Sequence, residues 1–165
     1  MASEPISIFS RHIRPREVVE AVVSRYPRAV VVGAGAKWTS ITVPFGDANP
    51  APSVKLTHDA DAYAQPAWSR QIDGMQGYFS RFPSSSPAHR ARVQALVASL
   101  RFCLGVVIEP DYTDPATDDR FAIVTGVTRM LDGVIFTPSA LRDPNGFALI
   151  AADQPNDDDA VWPSS

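Results

Sequence analysis

Proline cuts this chain into short lengths, and that limits its architecture more than any other feature. Fifteen prolines fall in 165 residues, and most gather at 44–52, 83–87, 110–115 and 138–144. Each removes a backbone donor and disfavours helix in the residue before it, so the clusters mark breaks between elements. The hydrophobic pattern between the breaks decides what those elements are.

Ile6 and Ile8 alternate with Ser7 and Ser10, which predicts a first strand. Val18, Val19, Val22, Val23 and Tyr26 then share a helical stripe, with Pro15 in the first turn and Pro27 ending the run. Three strand-like segments follow at 29–32, 37–45 and 53–59, joined by Gly- or Pro-rich links as in an antiparallel meander. Trp68, Ile72, Met75, Phe79 and Phe82 recur at helical spacing. A further helix has Ser86 as N-cap, Pro87 at its first position, and Val93, Leu96, Val97 and Leu100 on one face.

Residues 103–110 read as a buried strand, 114–131 as a helix capped by Asp114 with Pro115 behind it, and 133–138 as another strand. The last strand, 147–152, is reached through the turn residues Asp143-Pro144-Asn145-Gly146. The order β-α-β-β-β-α-α-β-α-β-β is that of an α+β fold. The expectation is a single α+β domain over 1–151, with a largely antiparallel sheet packed against three or four helices. Residues 152–165, polar and acidic around Trp162, read as a flexible tail.

A hydrophobic fraction of 45% with 20% charged residues is that of a soluble globular protein. The formal net charge of −3, with no basic block, argues against a nucleic-acid binder, which needs positive surface to displace counterions from phosphate. The apolar runs are too short to span a bilayer, and the first residues lack the apolar core of a secretory signal. Cys103, the single cysteine, lies between Phe102 and Leu104 and reads as a buried, inert thiol. These features lead to the expectation of a cytoplasmic protein without a membrane partner.

Gly33-Ala34-Gly35 follows an apolar run, as in a dinucleotide fingerprint. That fingerprint needs a third glycine and then a helix to face the pyrophosphate. Here Trp38 holds the third position and the pattern that follows is that of a strand, so a hairpin turn is expected and no cofactor.

The connection 109–119 carries Glu109, Asp111, Asp114, Asp118 and Asp119 just after a strand. Carboxylates at a strand end can hold a cation or act as acid and base. Glu109 and Asp111, with His58 beside Asp59 and Asp61, would make the catalytic set of a small hydrolase or metal-assisted enzyme. The structural alternative assigns Asp114 to helix capping and Asp118 and Asp119 to the first helical turn, and leaves His58 an ordinary exposed histidine. His12 and His89 share no metal-ligand spacing with it, and no metal site is expected.

The helix around residue 75 carries two glycines, Gly74 and Gly77, each costing about 1 kcal/mol relative to alanine in a helix interior. Gln71, Gly74 and Tyr78 fall on one side at spacings of three and four. Either another element of the domain packs tightly there, or Gln71, Gly74, Gly77 and Tyr78 form a partner-binding groove. Arg11, Arg14, Arg16, Arg25, Arg28 and Lys37 crowd the first quarter, while Asp153, Asp157, Asp158 and Asp159 lie in the tail. That asymmetry suits an acidic partner or a tail folded back on the N-terminal region. The leading expectation is a non-catalytic binding protein whose partner is another protein, in its specific form an inhibitor or immunity-type protein that blocks a partner enzyme.

Overall fold

The first strand of the chain lies in the middle of the sheet. The computed structural model describes residues 4–164. Its elements are β1 (Ile6–Ser10), α1 (Pro15–Arg25), β2 (Val30–Val32), β3 (Ser40–Pro44), β4 (Ser53–Thr57), α2 (Ala67–Phe79) and α3 (Pro87–Ser99). They continue with β5 (Phe102–Glu109), α4 (Phe121–Met130), β6 (Val134–Thr137), β7 (Ala140–Arg142) and β8 (Ala148–Ala151). The eight strands form one sheet in the order β2-β3-β4-β5-β1-β6-β7-β8, and every pairing is antiparallel. The expected α+β domain and element order are present, with β7 as one further strand of three residues.

Because side chains alternate across a strand, β1 contributes to both sides of the sheet. Ile6 and Ile8 join Ile41, Val43, Val54, Leu56, Leu104 and Val106 in one core, closed by Val18 and Val22 of α1 and Val124 and Val127 of α4. Phe9 points the other way, into a core with Val134, Leu141 and Ile150, closed by Trp68, Ile72, Met75 and Phe79 of α2 and Val93 and Val97 of α3. The helix pairs therefore cover diagonal quarters of the sheet, α1 and α4 over the β2-to-β1 half and α2 and α3 over the other half on the opposite face. Gln76 and Gln94 lock α2 to α3, each side-chain amide donating to the other residue's carbonyl at 3.1 Å.

The predicted helical stripes account for the buried residues of α2 and, His89 apart, of α3, and Ser86 accepts the His89 amide at 3.0 Å as the expected N-cap. On α1 the stripe is narrower than its spacing suggests, for Val23 is 38% exposed while Val18 and Val22 are sealed. Helix α4 begins at Phe121, seven residues after the expected cap Asp114. Asp114 instead accepts the Ala116 amide, and Asp118 the Arg120 amide, so side chains of the connection bind its own backbone and hold it out of the helix.

Gly33, at φ +92°, turns the chain between β2 and β3, and a Cβ there would come within 2.8 Å of the Trp38 Cα. The Gly33-Ala34-Gly35 stretch is a strand connection in a hairpin, as its sequence context indicated. The polar segment 152–164, read from composition as flexible, is docked against the body. Asp157 exchanges hydrogen bonds with Ala148 on β8, Val161 donates its amide to Asp143 Oδ2, and Trp162 sits beside His89 and Arg92 of α3. It does not fold back on the basic N-terminal quarter. Its hydrogen bonds shield one edge of the sheet, whereas β2 at the other edge has, among the described residues, no further strand beside it.

Candidate recognition surface

The proposed catalytic set is not assembled. Strands β4 and β5 pair Ser53 with Glu109 and Thr57 with Gly105, so Glu109 and His58 lie at opposite ends of β4, about 16 Å apart at the rise of an extended strand. Asp111 lies beyond Glu109, farther still along the chain. Carboxylates and histidine that the sequence allowed to meet are separated by register. Among the described residues no three His, Cys, Asp or Glu side chains converge as a cation site.

The acidic connection has a structural use instead. Arg120, 7% exposed, donates through Nε and Nη2 to both carboxylate oxygens of Asp118 at 3.0 and 2.8 Å, and through Nη1 to the Pro110 carbonyl at 2.6 Å. The guanidinium hydrogen bonds hold the Asp118 carboxyl below its ordinary range, and the same bonds raise Arg120. Asp118 of this pair lines a broad groove of about 1110 Å³, with Glu4, Tyr112, Arg129, Thr137 and Arg142 among the other lining residues. Burial pushes the Tyr112 phenol up, and the neighbouring Glu4 and Asp111 charges push the same way. Glu4 is occupied by the Ser139 amide and hydroxyl, at 2.9 and 2.6 Å, and Arg129 by the Asn145 side chain at 2.8 Å.

His58 is buried at 5% exposure, contrary to its expectation as a surface histidine. Its ring lies among Trp38, Tyr63 and Phe102, with centroids 4.9, 5.7 and 5.4 Å away. Its Nδ1 is 3.1 Å from the Trp38 carbonyl. A carbonyl can only accept, so Nδ1 carries the proton and the neutral ring keeps its lone pair on Nε2. Nε2 is buried with no protein partner, which costs about 1–3 kcal/mol for an unmet polar group. His89 shows the contrast, for its Nδ1 accepts from the Ser85 amide at 3.3 Å and its Nε2 donates to the Leu149 carbonyl at 2.7 Å.

His58 lines a cleft of about 210 Å³ with Thr57, Asp59, Tyr63, Trp68, Gln71, Cys103 and Gly105. Tyr63 donates its hydroxyl to the Cys103 carbonyl at 3.0 Å, and burial raises its phenol well above the usual value. Burial also pushes the Cys103 thiol up to about 12, so at neutral pH it is a protonated, poorly nucleophilic group.

The cleft is the inner end of a larger corner. Its floor is the face of β2–β5 that α1 and α4 do not cover, crossed by the row Val30–Thr42–Lys55–Val107 and the neighbouring row Val32–Ser40–Thr57–Gly105. Val30, Val32 and Val107 are 60, 55 and 42% exposed there. The wall is α2. Gln71 touches the cleft above β5, and seven residues on, the Tyr78 hydroxyl donates to the Pro138 carbonyl at the β6–β7 turn. Gly74 lies between them on the same side of the helix.

A Cβ on Gly74 or Gly77 would meet nothing within 4 Å. Tight packing within the domain is thus not the reason for either glycine, and both lie on an exposed strip of α2. The basic residues of the first quarter are partly engaged, Arg28 with Asp47 at 3.6 Å and with the Gly46 carbonyl at 3.1 Å. The floor and the His58 cleft escaped sequence reasoning because they depend on which strands become neighbours. Among the described residues no helix is long and apolar enough to cross a membrane. No protein-family model, curated protein or solved structure matches this chain.

Proposed function

We propose that this is a cytoplasmic, non-catalytic binding protein that recognises another protein in the corner between the open β2–β5 floor and the α2 wall. The observation that carries this reading is the exposure of Val30, Val32 and Val107 on a sheet face left without a helix. Val30 and Val32, neighbours on the edge strand, and Val107, three strands across the same face, gain most when a partner removes them from water, roughly 1.5 kcal/mol or more for a fully buried valine. The unpaired edge of β2 adds backbone donors and acceptors that a partner strand can use. Gln71 and Tyr78 provide polar anchors on the wall, and the bare backbone at Gly74 and Gly77 lets a partner come close. An inhibitor or immunity-type protein that blocks a partner enzyme is the specific form of this reading.

The test uses tagged full-length protein as bait in extract of its native cell. A stoichiometric partner is expected with the wild type and with Asp159→Ala, and at least tenfold less with Val32→Asp or Gly74→Arg. Retention of the same partner by both corner variants, each shown to be folded, overturns the assignment.

A further inference from the structure

We propose that the broad groove beside α4 binds a short extended peptide, with a peptide carboxylate held by Arg129 and Arg142 and the amino terminus toward Asp119. The groove lies on the other face of the sheet from the recognition corner, so the two sites are independent. Phe121, Ala122, Thr125 and Arg129 line it along one side of α4, and Ile135 and Thr137 of β6 line it from the sheet. Strand β7 pairs Arg142 with Ile135, which puts both side chains on that same face.

The two arginines point to an anion. Arg129 donates through Nη2 to the Asn145 side-chain oxygen at 2.8 Å, and Arg142 through Nη1 to the Gly146 carbonyl at 3.3 Å, so successive residues of one turn hold both guanidinium groups. Neither forms an ion pair among the described residues. Carboxylates of the groove wall and the turn are committed elsewhere, Glu4 to Ser139, Asp118 to Arg120, and Asp143 to the amides of Asn145, Phe147 and Val161. Arg129 suits the last turn of α4 by the helix dipole. Arg142 is on a strand and has no such reason for its charge. Arg129 is exposed and Arg142 half-buried, so a ligand in the groove can reach both. Like charges held at one turn gain from an anion between them, and each planar fork keeps donors for the two oxygens of a carboxylate.

The other end of the groove sets the length and polarity of the ligand. Asp114 and Asp119, both exposed, line it just before α4 begins. From Phe121 to Arg129 the helix rises about 12 Å, a distance that an extended peptide of about four residues covers. Its carboxylate then meets the arginines while its ammonium meets the acidic wall. The same wall repels a doubly charged phosphate, so the singly charged carboxylate is the better match.

The experiment is a titration of isotope-labelled full-length protein with tetra-alanine carrying both free termini, followed by NMR at the Tyr112, Thr125, Asn145 and Gly146 amides. Saturable shifts confined to the groove are expected, with the C-terminal amide and the N-acetyl form of the same peptide each binding at least tenfold more weakly. Ala-Ala-Ala-Glu-amide tells a side-chain carboxylate from a chain-end one, and the proposal holds with either. Arg129→Gln and Arg142→Gln, each checked for an intact thermal transition, are expected to lose the preference for acid over amide. Asp119→Asn is expected to lose the preference for the free over the acetylated amino terminus. Absence of saturable shifts in the groove, equal binding of acid and amide by the wild type, or a preference kept by both folded arginine variants overturns the proposal. Inorganic phosphate shifting the same amides at lower concentration than the peptide overturns it as well.

Discussion

Arg92 places its guanidinium carbon 4.2 Å from the centroid of the Trp162 ring, so the segment around Trp162 is held to helix α3 rather than released into solvent. His89 meets the same ring at 6.1 Å in an edge-on arrangement. Trp162→Ala is expected to cost about 1–2 kcal/mol, combining a cation–π contact with lost aromatic packing. It should also expose the 152–164 segment to limited proteolysis at concentrations that leave the wild type intact. Denaturant unfolding and mass mapping of the cleavage sites check both.

The glycines of α2 give a prediction of opposite sign. With open space around each, Gly74→Ala and Gly77→Ala should each stabilise the fold by about 0.5–1 kcal/mol through helix propensity. A rise in the unfolding midpoint for both, additive in the double variant, is the expected result. A fold that gains stability on losing these glycines keeps them for something other than folding.

The Asp118–Arg120 clamp gives a pH signature. Because the folded-state carboxyl lies below its ordinary value, its contribution is fully present above about pH 4, the usual unfolded range, and is lost as pH falls through the folded value. Asp118→Asn should therefore be less stable than wild type at pH 7, by about 1–2 kcal/mol for bidentate bonds to a charged group, and the gap should close in acid. Arg120→Ala should cost more, about 2–3 kcal/mol, since it also frees the Pro110 carbonyl. Urea titrations at pH 7, 5 and 3 read these differences directly.

Cys103 should be slow to react. With its thiol pushed up to about 12, the thiolate at pH 8 is roughly one part in ten thousand, against about a quarter for an unperturbed cysteine. Labelling by a disulfide reagent at pH 8 should be at least about 100-fold slower in the folded protein than in denaturant. A rate within tenfold of the denatured value would mean that the β5 backbone and Tyr63 do not shield it.

The parts of this fold written locally are the legible ones. Trp68, Ile72, Met75, Phe79 and Phe82 mark the buried stripe by spacing alone, and Ser86-Pro87 announces its helix because capping involves residues only three apart. Strand β7 is missed because Ala140–Arg142 is too short to show a period and is recruited by its neighbours on either side. The start of α4 is misplaced because Asp114 and Asp118 resemble caps in sequence while binding the turns they sit in. His58 is the clearest limit. Its burial comes from Trp38, Tyr63 and Phe102, which are far apart in the chain and meet only once β4 lies beside β5. The same register separates it from Glu109.

The central place of β1 bears on how the molecule is made. Ile6 pairs with Val106 and Ser7 with Phe136, so β1 leaves the ribosome well before either of its neighbours exists. Contacts of such long sequence separation are entropically costly to close and slow to form. Until β5 and β6 arrive, Ile6, Ile8 and Phe9 lack the two cores that bury them, and helix α1 has only the β2–β3–β4 meander to lie against. The nascent chain thus carries an unpaired apolar strand until β5 has been made, and the sheet is completed by an insertion at its middle.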